Sequence, residues 1–125
     1  MKLVDSCVWA EVLMATPTGQ AFKSKIPPQS QLLVSTMVVY ELGKWLARNV
    51  DSEIADQVLV TLLNAQVVEP TASIALQAAQ LSVTHKLHAL DALIYATALE
   101  HDAQLVTCDA HFKDLLQVEY TAKSK

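Results

Sequence analysis

Glycine, proline and cysteine are scarce in this chain, at 2, 4 and 2 residues of 125. With no low-complexity stretch and no repeat at a fixed period, there is no linker or solenoid pattern, and the one candidate break is the short loop Ile26-Pro27-Pro28-Gln29-Ser30-Gln31. Cys7 and Cys108 are too few for a disulfide scaffold and lack CxxC spacing, which fits a reducing cytoplasm. No run of about 18 or more apolar residues is present. Asp5 and Glu11 interrupt the first apolar stretch before a signal-peptide core forms, so the expectation is a soluble, cytoplasmic protein without membrane contact. Positive charge is also short: 9 basic against 13 acidic residues give a net charge of −4, which argues against a broad basic surface for long nucleic acid. An enzyme with a small footprint remains compatible, and so does an ordinary soluble domain kept monodisperse by its charge. What the chain does have is apolar content, 52% of its residues, enough for the core of one domain and too short a length for two.

Lys2-Leu3-Val4-Asp5 reads as a short strand ending at its acid, with Ser6 as N-cap of a helix to about Met14. Leu32-Leu33-Val34 is the apolar run of a second strand over Gln31 to Ser35, and Ser35 or Thr36 caps a helix to about Asn49. Val38, Leu42, Trp45, Leu46 and Asn49 recur at helical spacing along it. Asp51 or Ser52 caps a helix to about Leu63, and Val67-Val68-Glu69 is a third strand. Pro70-Thr71-Ala72 starts an Ala-rich helix to about Lys86, and another runs from about Leu90 to His101. Gln104 to Thr107 is a fourth strand and Val118 with its neighbours a weak fifth. Strands alternating with helices, written as continuous apolar runs, predict a doubly wound α/β domain: a parallel sheet in a three-layer α/β/α arrangement. The functional crevice of such a sheet lies beyond the carboxyl ends of its strands, where the strand order switches.

Four acids map to that edge. Asp5 ends the first strand, Asp109 follows the fourth, and Glu41 and Asp91 are placed in first turns of helices, so all four converge if strands one and four are neighbours. Asp91 interrupts the apolar run Ala89-Leu90-Asp91-Ala92-Leu93-Ile94-Tyr95, and a buried carboxylate is costly unless paired or bound to metal. Each acid alone has a plainer reading. Asp91 and Asp109 can cap helices, Glu41 can be a solvated helix residue, and Asp5 can bind backbone amides; it is the set of four that points to metal-assisted chemistry.

Val4-Asp5-Ser6, Ser35 through Glu41-Leu42, Leu90-Asp91-Ala92-Leu93-Ile94-Tyr95-Ala96-Thr97-Ala98, and Leu105-Val106-Thr107-Cys108-Asp109 with Phe112 together resemble the PIN-domain ribonucleases, and within them the VapC-type toxins of toxin–antitoxin modules. The resemblance spans essentially the whole chain, residues 1–125, as a single PIN-like domain. It implies an Mg²⁺-dependent endoribonuclease, with Mn²⁺ an alternative ion, in which Asp5, Glu41, Asp91 and Asp109 match the catalytic acids. Asp5, Asp91 and Asp109 match metal ligands, and Ser6 and Thr107 match supporting hydroxyls. It further implies an RNA substrate, an antitoxin partner and a homodimer. The sequence departs from the family pattern where a further acid often stands, at His111, and where Asp102 replaces a common Gly.

On the helix after Thr36, Glu41, Lys44 and Arg48 fall at i, i+3 and i+7, so one flank carries the acid and two cations suited to RNA phosphates. Arg48 is the sole arginine. The plain alternative is a solvated face with a Glu41–Lys44 ion pair. His85, His88, His101 and His111 share no metal-ligand spacing, and of these His111 alone merits a test. Cys7 and Cys108 read as small buried hydrophobes, and Trp9 and Trp45 as packing residues with a partner-anchoring role as the alternative. Two rival functions stand beside the nuclease. One is a catalytically silent PIN-like binding module acting through a protein partner. The other is a phosphohydrolase of small phosphoesters, which would need a nucleophilic Asp-x-Asp or a phosphate-gripping Gly loop that the sequence lacks.

Overall fold

The short apolar runs form five parallel strands: β1 (Lys2–Val4), β2 (Leu32–Ser35), β3 (Gln66–Val68), β4 (Gln104–Thr107) and β5 (Val118–Tyr120). The computed structural model describes residues 1–124. Among them six α-helices connect the strands: α1 (Ser6–Leu13), α2 (Pro17–Phe22), α3 (Thr36–Asn49), α4 (Ser52–Leu63), α5 (Ala72–His85) and α6 (Ala89–Glu100). The strand order is β3-β2-β1-β4-β5. Successive strand side chains point to opposite faces, and here both faces are covered. Leu3, Leu33 and Leu105 join one buried layer with Ile74, Ala78, Ile94 and Tyr95, while Val4, Leu32, Val34 and Val106 join the other with Val8, Phe22, Leu42 and Leu46. A sheet buried on both sides requires continuous apolar strands rather than alternating ones, which is why the sequence pattern predicts this three-layer α/β/α architecture correctly.

Strands β1 and β4 are neighbours, paired Leu3 to Leu105 and Val4 to Val106, and the Asp5 amide extends the ladder by donating to the Val106 carbonyl at 2.9 Å. From β1 the chain builds outward to β2 and β3 on one side, and places β4 and β5 on the other. The switch in strand order therefore falls between β1 and β4, and the crevice lies at their carboxyl ends.

The caps set where the helices begin. The Ser35 hydroxyl accepts from the Met37 amide at 3.1 Å, the Asp51 carboxylate from Ile54 at 2.9 Å, and the Thr71 hydroxyl from Ile74 at 3.1 Å. Two expectations change. Pro70 lies outside its helix because Thr71 is the cap, and Asp5 rather than Ser6 caps α1, its carboxylate accepting from the Ser6 amide at 2.8 Å. Helix α2 is an addition to the sequence reading: Thr16 caps it by accepting from Gly19 at 3.0 Å, and Pro17 occupies its first position. Gly19 lets α2 sit against α1, since a Cβ there would come within 2.1 Å of the Glu11 carbonyl oxygen. Asp102 takes the left-handed conformation expected of it at the turn into β4, with φ of 51°. Among the described residues no helix is long and apolar enough to cross a membrane.

Candidate active site

Asp5 stands where β1 becomes α1 and is 4% exposed. One carboxylate oxygen accepts from the Ser6 amide; the other accepts from the Thr107 hydroxyl at 2.8 Å and lies 3.6 Å from the Cys7 thiol. Thr107, at the end of β4, also accepts from the Asp109 amide at 3.0 Å, so a single hydroxyl ties together the acids that follow the two central strands. With Asp5 as the cap, Ser6 is free to turn its hydroxyl to Glu41, donating at 3.1 Å. Glu41 lies in the second turn of α3 rather than the first, because the helix starts at Thr36, and this extra turn carries it over the crevice. Asp91 sits in the first turn of α6 as expected, and the cap there is His88. Asp109 does cap a short turn, Ala110–Phe112, accepting from the His111 amide at 2.9 Å, and the same oxygen lies 2.8 Å from His111 Nδ1.

The acids feel one another. Burial pushes the Asp5 carboxyl well above the usual range; the Cys7 thiol and the Glu41 charge add to this, while the Thr107 and Ser6 hydrogen bonds oppose it. Glu41 is raised by burial and by the charges of Asp91 and Asp109, against the Ser6 hydrogen bond. Asp91 is raised by burial and by Asp109, with His111 and His88 acting the other way. Three carboxyls are displaced upward, first by burial and then by neighbouring charge, and both leave the ionised forms under-compensated, a situation a cation relieves. One donor atom each from Asp91, Asp109 and His111 lies within 4.8 Å of the others. Donors on opposite sides of a hard cation, at metal–ligand distances of about 2.0–2.6 Å, are separated by a similar span. Asp5 and Glu41 stand outside this trio: Glu41 borders it through the charges of Asp91 and Asp109, and Asp5 is linked to it by Thr107, which also holds the Asp109 amide. The residues present fit a divalent ion.

A cavity of about 670 Å³ opens over the cluster, lined by Glu41, His88, Asp91, Asp109, His111 and Lys123 among others. Lys44 and Arg48 do not enter it. They line an adjoining cavity of about 440 Å³ with Ser6, Tyr40 and Trp45, and Cys7 and Glu41 border both, so the two form one groove with cations at one end and acids at the other. A Glu41–Lys44 ion pair does not form: among the described residues Lys2 pairs with Glu119, and the other close contact of a carboxylate with a basic side chain is that of Asp109 with the His111 ring. Trp45 faces this groove, while the Trp9 indole donates to the Val4 carbonyl at 3.2 Å and borders an apolar groove with Leu13, Val58 and Leu62. Cys108 is buried in the core, as expected, and Cys7 is half-buried beside Asp5. Sequence reasoning misses Lys123 and underrates His88. Lys123 arrives because the segment after β5 is held across the strand ends: the Thr121 amide donates to the Thr107 carbonyl, Lys25 Nζ to the Thr121 hydroxyl, and the Ser124 amide to the Thr18 hydroxyl. Nothing in the local sequence announces that path.

Among solved structures, the chain resembles a toxin–antitoxin complex from Klebsiella pneumoniae, at 22% identity over 95% of this chain and 96% of that one, with a TM-score of 0.78. It resembles VapBC2 from Rickettsia felis, solved bound to a promoter DNA fragment, at 16% identity over 95% and 97% with a TM-score of 0.72. It also resembles the Mycobacterium tuberculosis toxin VapC20, described as cleaving the sarcin–ricin loop, at 22% identity over 83% and 85% with a TM-score of 0.66. At such identities the likeness establishes the fold. No curated protein sequence matches the chain. The family model of the PIN domain matches residues 2–116, nearly all of the sequence whose strand-end acids form this crevice, and the chain belongs to the PIN-domain family.

Proposed function

We propose that this protein is a divalent-metal-dependent endoribonuclease and the toxin of a toxin–antitoxin pair, working in the cytoplasm. The observation that carries the reading is the gathering of Asp5, Glu41, Asp91 and Asp109 at the β1–β4 switch, with three of the four carboxyls pushed upward by burial and mutual charge. Asp91 and Asp109 would hold the ion directly, with Asp5, anchored by Thr107, adding its charge to the surroundings. Oxygen donors of this kind select Mg²⁺ or Mn²⁺. When bound, such an ion supplies a water of lowered pKa and offsets charge that develops on the phosphate. Glu41 is raised and also open to the cavity, which suits its carboxylate to take a proton from the attacking water at neutral pH. Ser6 orients Glu41, and Thr107 fixes Asp5 relative to Asp109. Lys44 and Arg48 grip the phosphates of the RNA that leads into the site.

The antitoxin reading draws on the complexes named above and on the apolar groove of Trp9, Val12, Leu13, Val58 and Leu62, which suits an apolar face of such a partner. A homodimer agrees with α5, which leaves Leu76 and Val83 71% and 84% exposed at i and i+7 on one face.

The test is cleavage of RNA by the purified chain with Mg²⁺, with Mn²⁺ and with chelator. Cleavage is expected with either ion, none in chelator, and none by Asp5→Asn or Asp91→Asn in any condition. Intact RNA in the presence of bound ion would instead make this a catalytically silent module acting through its partner, and full cleavage by both variants would remove the proposed site.

A further inference from the structure

Of the three side chains that bring donor atoms within 4.8 Å of one another, one is not an acid. We propose that His111 gives the ion a nitrogen ligand beside Asp91 and Asp109, and that this mixed donor set tilts the site from Mg²⁺ toward Mn²⁺. The inference rests on the metal-dependent reading above and deepens it.

His111 has a side chain 60% exposed, and an exposed imidazole normally moves among rotamers in water. Here it is constrained on three sides. Its backbone amide donates to an Asp109 carboxylate oxygen at 2.9 Å, its ring Nδ1 lies 2.8 Å from that same oxygen, and the His88 ring packs edge-on with centroids 6.0 Å apart. The ring is therefore held against the carboxylates before any ion arrives, and much of the ordering cost of a long-reach ligand is already met. A neutral imidazole adds no negative charge, so it does little for Mg²⁺, which is held by hard oxygen donors and keeps most of its waters. Imidazole nitrogen suits first-row transition ions; Mn²⁺, the weakest binder of that series, shares the preference of Mg²⁺ for carboxylate and water but, unlike Mg²⁺, belongs to a series whose ions accept a nitrogen ligand. Adding one nitrogen to two carboxylates thus changes which ion is preferred more than it changes how much charge is neutralised. The rival account is that His111 only pairs with Asp109 and closes the turn Ala110–Phe112.

The experiment loads the purified chain with Mn²⁺ and records pulsed electron paramagnetic resonance for ¹⁴N coupling, together with calorimetric titrations of Mn²⁺ and Mg²⁺. The wild type, His111→Asp, His88→Ala and Asp91→Asn are compared, with circular dichroism confirming that each variant is folded. A histidine ¹⁴N coupling is expected in the wild type and in His88→Ala, and is expected to vanish in His111→Asp. The Mn²⁺ over Mg²⁺ affinity ratio should fall by about tenfold in His111→Asp, the lower end of what loss of a group supporting a metal site costs. If Mn²⁺ binds and Asp91→Asn abolishes binding, but the nitrogen coupling is absent, depends on His88, or the ratio is unchanged in His111→Asp, the role of His111 is overturned while the metal site stands. If Mn²⁺ does not bind, or binds equally well to Asp91→Asn, both fall together.

Discussion

Replacing Asp5 by Asn keeps the shape of the side chain and removes a charge from a position 4% exposed, so the variant separates what the residue does for the fold from what it does for the site. Asn caps helices about as well as Asp, and its carbonyl oxygen retains the Ser6 amide bond of 2.8 Å. The amide group then faces the Thr107 hydroxyl, which can rotate to accept where it now donates. The charge is the larger consideration. The Asp5 carboxyl is raised because burial outweighs the hydrogen bonds that favour its ionised form, so folding favours the neutral side chain. Each pKa unit of difference between folded and unfolded states is worth about 1.4 kcal/mol. A raised folded pKa gives stability that is fully present below the unfolded value near 4 and is lost as pH rises through the folded value. In chelator at neutral pH, Asp5→Asn should therefore be more stable than the wild type, with a higher melting temperature. The gap should shrink as pH falls toward 4. Asp5→Ala serves as the control: it loses the cap and strands the Thr107 hydroxyl, and should fall below Asp5→Asn by about 2–3 kcal/mol. Urea unfolding followed by the fluorescence of Trp9 and Trp45 measures all three. With Mg²⁺ at 100 times its dissociation constant, the wild type should gain about 2.7 kcal/mol and the Asn variant less, narrowing or reversing the order. An Asn variant less stable than wild type in chelator at neutral pH, or a gap that widens on acidification, would refute the reasoning.

Changing both Lys44 and Arg48 to Ala should weaken RNA binding regardless of sequence and flatten its salt dependence by roughly one to two phosphate contacts, leaving Mg²⁺ affinity nearly unchanged; binding against salt concentration checks this. Gly19→Ala forces a methyl into the Glu11 carbonyl and should cost about 1–3 kcal/mol in urea unfolding, with α1 and α2 moved apart. Leu76→Glu with Val83→Glu on the open face of α5 should convert a dimer to a monomer in light scattering while RNA cleavage per chain persists.

The layers are readable because a sheet covered on both faces writes itself as short apolar runs, as Leu32-Leu33-Val34 and Leu105-Val106 do, whereas the strand order is not, and the pairing of β1 with β4 enters the sequence reading only as a condition. Adjacent capping residues are harder to rank: Asp5 and Ser6 are both good caps, and which one serves depends on Glu41, 35 residues from Ser6, offering the serine hydroxyl a better partner. Helix α2 spans only Pro17–Phe22, too short for an apolar period, although Thr16-Pro17 carries a usable start signal. The convergence of the four acids follows from strand ends and helix starts, which sequence locates to within a turn, together with the pairing of β1 with β4, which the structure supplies. The Glu41–Lys44 pair fails because helical spacing describes proximity and says nothing of the competing Ser6 bond. The path of the last residues over the strand ends depends on long-range bonds such as Lys25 to Thr121, 96 positions apart, and so Lys123 has no local signature.

The bond between Thr107 and Asp5 joins residues 102 positions apart. During synthesis, Asp5 is made about a hundred residues before Thr107 and Asp109. Until then the acids at β1 and α3 have neither their anchoring hydroxyl nor the Asp91–Asp109 pair. A chain that stops before β4 therefore lacks the assembled cluster, and on the proposed function it would not cleave RNA. The insertion of β4 beside β1 is what brings Thr107 to Asp5 and Asp109 to the cluster.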